Sequence, residues 1–133
     1  MKTTRIMAAA VLAFGIGMPL SLAHAQQQAV QRTDVLQNDL GVAGREFSQV
    51  RVDFEPGAVS IKHSHPGVEV AYVLEGIMEY QLEGRPPVTL KAGEALFIPD
   101  GVAHVAKNVS SGKTSELATY IVRKGEPVVV PEK

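Results

Sequence analysis

From residue 45 onward, apolar and polar positions alternate in short runs. Val50, Val52 and Phe54 alternate with Arg51 and Asp53, and Met78, Tyr80 and Leu82 alternate with Glu79 and Gln81. A period of two puts one set on each face of a pleated strand, so each run predicts a half-buried β-strand. Turn-type glycines at 57, 67, 76, 84, 93, 101 and 112 punctuate the runs, several reinforced as Pro56-Gly57, Pro66-Gly67 and Pro99-Asp100-Gly101. Short strands at this spacing predict an all-β fold, a single antiparallel barrel or sandwich of about eight to ten strands. No stretch after residue 45 keeps a helical period. The tail KGEPVVVPEK sets two prolines around three valines, which suits a short edge strand. Residues 27–43 fit either an arm with a helical turn or an edge strand, and the pattern does not choose.

The N-terminus has a different rhythm. Lys2 and Arg5 lead into an apolar segment from Ile6 to Leu22, interrupted by Pro19 and followed by Ala23-His24-Ala25. This predicts a cleavable signal peptide over residues 1–25 and export by the general secretory route, hence a periplasmic or secreted protein. The expected organisation is a leader (1–25), an N-terminal arm (26–44) and one β-barrel domain (45–133). With no cysteine in the chain, disulfides are excluded even in an oxidising compartment, and stability falls to packing, a metal or oligomerisation. Without Lys2 and Arg5, 11 basic residues face 14 acidic ones, with the signs interspersed. That leaves no basic stripe for nucleic acid and no amphipathic helix for a membrane surface.

The candidate chemistry lies in KHSHPGVEVAYVLEG, residues 62–76. Residues two apart on a strand share a face, so His63 and His65 point one way, as two ligands of one metal must. Glu69 follows the Pro66-Gly67 kink with the same parity. The remaining histidine after residue 25, His104, stands in PDGVAHVAKN just beyond a tight turn. Any one of these histidines alone is more simply a core or surface residue; the spacing around them makes the pattern specific.

That spacing resembles the cupin superfamily. Gly57, five residues, His63, one, His65, three, Glu69, six and Gly76 match the first cupin motif. Gly93, five, Pro99, one, Gly101, two, His104, three and Asn108 match the second. The resemblance runs from about Glu46 to Val122 and implies a jelly-roll barrel in which His63, His65, Glu69 and His104 bind one divalent transition metal (Mn, Fe, Ni, Cu or Zn). Imidazole and carboxylate suit all of these ions. It further implies dioxygenase-like chemistry of the quercetinase type, or other metal-dependent small-molecule chemistry such as that of lyases and isomerases, with Glu69 as ligand and general base. The alternative is a non-catalytic binding cupin in which the metal anchors a small-molecule ligand or the fold itself. A homodimer paired through residues 27–54 is also implied. Asn108 is expected to be a hydrogen-bonding residue at a strand end. Beyond the ligands, Tyr72, Tyr80 and Tyr120 are candidates for hydroxyls at the barrel mouth, and Arg51, Lys62 and Arg85 for contacts with an anionic substrate. Phe47, Val73, Phe97 and Ile98 are candidates for shaping a pocket. No second carboxylate stands out beside the metal set.

Overall fold

The alternating runs become the strands of two antiparallel sheets in a computed structural model, which describes residues 29–133. In chain order these are β1 (Val30–Asp39), β2 (Arg45–Phe54), β3 (His63–Ser64), β4 (Gly67–Glu75), β5 (Ile77–Leu82), β6 (Val88–Lys91), β7 (Ala95–Ile98), β8 (His104–Asn108), β9 (Thr114–Arg123) and β10 (Val130–Pro131). One sheet has the order β1-β2-β9-β4-β7 and the other β10-β3-β8-β5-β6. The expected signal peptide lies outside the described residues. The segment the pattern left undecided is an edge strand: β1 pairs with β2 along its length, with a register shift between Asp34 and Leu36. The proline-flanked tail also ends as an edge strand, with Val130 and Pro131 paired to Ser64 and His63.

The core lies between the two inner faces. Val50, Val52 and Phe54 of β2 point inward, as do Met78, Tyr80 and Leu82 of β5 and Ala118, Tyr120 and Val122 of β9. Burying each large side chain contributes roughly 1.5–3 kcal/mol. Small residues sit beside these in register, Ala71 against Ala118 and Ala118 against Val50, which leaves room for the larger rings.

Two glycines let the chain change sheets. Gly76, with φ +78°, joins β4 in one sheet to β5 in the other, and a Cβ there would stand 2.4 Å from Thr114 Oγ1. Gly67 has a different role from the turn its Pro-Gly context suggests. It opens β4 packed so closely on β9 that a Cβ would lie 2.0 Å from the Ile121 carbonyl oxygen.

Asn108 is fully buried and closes one end of the barrel. Its Nδ2 donates to the carbonyls of Phe54, Glu55 and Gly112. Its Oδ1 accepts from the Ser110 amide and hydroxyl and from the Thr114 hydroxyl. The strand-end residue thus ties the loop after β2 to the loop between β8 and β9.

Candidate metal centre

The two sheets bring the histidines and the glutamate together. His63 on β3 and His104 on β8 are direct cross-strand partners, with ring centroids 4.3 Å apart. His65 lies just past β3, with its ring 4.7 Å from that of Tyr120 on β9. Glu69 comes from the opposite sheet, where it pairs with Tyr120 on one side and Ile98 on the other. Parity along a single strand is therefore not what aligns Glu69 with the histidines. The chain changes sheets at Pro66-Gly67, and closure of the barrel brings the carboxylate back over the rings.

One ring nitrogen from each of the three buried histidines lies within 4.8 Å of the others. The backbone fixes which nitrogens these are. His63 Nδ1 bonds the Ile61 carbonyl at 2.7 Å, His65 Nδ1 that of Val128 at 2.5 Å, and His104 Nδ1 that of Val102 at 2.9 Å. A carbonyl only accepts, so each Nδ1 carries a proton, and the Nε2 of each ring is the atom left to serve the cluster, through its lone pair whenever the ring is neutral. Metal-binding histidines are ordinarily held in this way. Glu69 Oε2 lies 2.7 Å from His65 Nε2 and 3.4 Å from His104 Nε2.

The electrostatics call for a cation. Burial holds the His63 ring down to about 4, helped by the neighbouring His104. Burial also opposes charge on Glu69, but with no ion bound, hydrogen bonds and positive charge from the facing His104 and His65 rings outweigh it and keep the carboxyl below its usual range. At His104 burial is again opposed and outweighed, here by Glu69, and the ring is shifted up. His65 Nε2 and Glu69 Oε2 are both buried without a hydrogen-bond partner among the described residues, because their close approach is not aligned as a hydrogen bond. Two such orphaned groups are costly in a dry interior. A divalent ion ligated by the Nε2 atoms and the carboxylate would satisfy both, so this donor set fits a transition metal.

Beside the cluster is a cavity of about 310 Å³, its open mouth included, lined on one side by His63, Glu69 and His104. Its other polar walls are Tyr80, Glu116, Tyr120 and Arg32. Of the three tyrosine candidates, Tyr80 and Tyr120 reach the cavity, whereas Tyr72 is 42% exposed on the outer face of β4. The cationic candidates all lie elsewhere. Arg51 pairs with Asp53 and Lys62 with Glu83 on the surface, and Arg85 is exposed. Val73 and Ile98 are core residues and Phe97 is exposed. None of these, nor Phe47, lines the cavity.

A second carboxylate does accompany the cluster. Glu116 on β9 is buried, and its Oε2 accepts a hydrogen bond from the Tyr80 hydroxyl. Burial and then the charge of Glu69 push its carboxyl up to about 8, so near neutral pH it holds its proton. The sequence carried a signal for it: Glu116 shares parity with Ala118, Tyr120 and Val122, an acid in an otherwise inward-facing row. Arg32 had no such signal, since β1 lacks a clear apolar alternation.

Residues 50–120 match the family described as "Cupin domain". The chain is 31% identical over 111 residues to germin-like protein subfamily 2 member 2 of Arabidopsis thaliana, an alignment covering 80% of this chain and 50% of that protein. It spans about half or less of the length of the germin-like proteins it matches. Among solved structures, KdgF from Halomonas sp. superposes with a TM-score of 0.62 at 25% identity, covering 74% of this chain and 84% of that one. Recombinant oxalate oxidase in complex with glycolate superposes at 0.64 with 26% identity, covering 77% and 54%. With two antiparallel sheets, both histidine motifs in place and a buried three-histidine cluster at their junction, the chain belongs to the cupin superfamily.

Proposed function

We propose that this is an exported metalloenzyme in which His63, His65, His104 and Glu69 hold one divalent transition metal and a small oxygen-bearing substrate is transformed beside it, with dioxygenase-type oxidation as the leading chemistry. The observation that carries this reading is the convergence of three imidazoles, each fixed at Nδ1 by a backbone carbonyl, on an orphaned carboxylate oxygen. When bound, such an ion supplies Lewis-acid and redox chemistry.

The chain's own residues supply the rest. Glu69, kept ionised by the rings around it, is placed to take a proton from a substrate in the cavity. Glu116, pushed up by burial and the charge of Glu69 against the lowering hydrogen bond from the Tyr80 hydroxyl, is the proton-bearing carboxyl of the same cavity while no cation is bound. Two carboxyls whose surroundings drive them to opposite protonation states suit the base and acid roles respectively. Tyr80 and Tyr120 are both driven upward, chiefly by burial, and act as hydroxyls rather than phenolates. The cavity is narrow, its 310 Å³ including the open solvent at its mouth, which favours a substrate of few heavy atoms over a polycyclic flavonol. The oxalate oxidase relative, solved with glycolate, points to the same size class.

The test is oxygen uptake by metal-loaded protein with catechols, flavonols, small dicarbonyls and short acids. The wild type should consume oxygen with a small member of the panel, and Glu69→Gln should keep its metal while losing turnover. A compound that raises the melting temperature without being consumed, together with no uptake across the panel, would instead assign a binding protein.

A further inference from the structure

We propose that Arg32 sets the specificity of this cavity: its guanidinium seats the carboxylate of a small acid whose other end reaches the histidine cluster. The inference rests on the metal-site reading above and adds the class of substrate.

Arg32 sits on edge strand β1 directly opposite Val52, and its side chain joins the cavity wall with His63, Glu69 and His104. Apart from the histidines it is the only basic side chain in that wall among the described residues. Tyr120 holds it in position. Nη2 donates to the Tyr120 hydroxyl at 3.0 Å, and the guanidinium carbon lies 5.7 Å from the ring centroid, within cation–π range. This contact engages one of five N–H donors. Among the described residues no carboxylate forms an ion pair with Arg32, whereas Arg51 and Arg123 each have acidic partners. Glu116 lines the same cavity, but its Oε2 accepts from the Tyr80 hydroxyl and it forms no ion pair with Arg32.

The cavity wall thus carries both a guanidinium without an ion-pair partner and a cation-binding cluster. A planar fork of N–H donors matches a carboxylate in a bidentate geometry that neutral ligands do not reproduce. The cavity reaches 310 Å³ only when the open solvent at its mouth is counted, so it admits a short acid in preference to a longer one.

The experiment pairs each acid with its neutral isostere. Glycolate and lactate, and separately glycolamide and lactamide, are titrated calorimetrically into metal-loaded wild type, Arg32→Met and Arg32→Lys, with metal content and melting temperature measured for each protein. The wild type should prefer acid to amide. Arg32→Met should weaken acid binding by about 10- to 100-fold while amide binding and metal content stay the same, and Arg32→Lys should keep part of the preference. Equal acid affinity in wild type and both variants, or no acid binding to the wild type, overturns the proposal. If the wild type retains no metal, the metal reading fails, and the same acid–amide comparison on that protein still decides the role of Arg32. Should Arg32→Met not fold, the Lys variant carries the test, because it keeps the charge and loses the fork.

Discussion

Replacing Glu116 with glutamine keeps the size of the side chain and removes one titrating proton from the barrel interior. The carboxyl is nine-tenths or more buried and moves from 4.5 to about 8, first through burial and then through the charge of Glu69. Each unit corresponds to ~1.4 kcal/mol, so the full displacement sets a ceiling of about 5 kcal/mol. The native state binds this proton more tightly than the unfolded chain does. Its contribution is therefore complete below the unfolded value near 4.5, declines as pH rises, and is gone above about 8. Glutamine cannot titrate, so the stability of Glu116→Gln relative to wild type should rise across that interval by several kcal/mol. The assay is urea unfolding of both proteins from about pH 5 to about pH 9, with chelator present because a bound cation would pull the carboxyl down. A gain of 2 kcal/mol would move the urea midpoint by roughly 1 M. A difference that stays flat with pH would refute the reasoning, since Glu116 would then ionise like a solvated carboxyl.

Other expectations follow from the packing and the cluster. Asn108→Ala removes the partner of three backbone carbonyls and two hydroxyls and should cost roughly 3–5 kcal/mol, a fall in Tm of about 10–25 °C; a loss under about 1 kcal/mol would contradict its role as a hub. Gly67→Ala drives a Cβ to 2.0 Å from the Ile121 carbonyl oxygen and should cost about 3 kcal/mol or more. Gly57→Ala, in open space at φ +73°, should cost only about 1–2 kcal/mol. Equal losses in urea unfolding would mean that β4 and β9 are not so closely packed. Chelation should lower the Tm of wild type by about 10 °C or more if the ion is held at many times its dissociation constant. The triple variant His63→Ala/His65→Ala/His104→Ala should show no such shift.

Much of the fold could be read from the sequence because the alternation is local. Val50, Val52 and Phe54, or Met78, Tyr80 and Leu82, declare their faces without reference to any partner strand. The same parity could have excluded Tyr72, since Ala71 and Val73 on either side of it are inward-facing core residues. The histidines and Glu69 were found through motif spacing, although what aligns them is long-range: one sheet carries His63 and His104 and the other carries Glu69. Arg32 was out of reach for that reason. Its place in the cavity depends on β1 pairing with β2, and β1, exposed along nearly all its length, leaves little hydrophobic trace of that pairing. Glu116 was overlooked because an acid in a strand is ordinarily assigned to the solvent face. Only the inward phase of its neighbours, with the Tyr80 hydroxyl opposite, makes its burial tolerable.

The most direct measurement is elemental analysis of the wild type and His104→Ala, both purified without chelators. The wild type should carry near one equivalent of a divalent transition metal, and the variant should lose it. Iron, manganese, nickel or copper would direct assays toward oxygen or lyase chemistry, and zinc toward non-redox chemistry. Wild-type protein that carries little metal and cannot be loaded by dialysis against any of these ions would contradict the metal site.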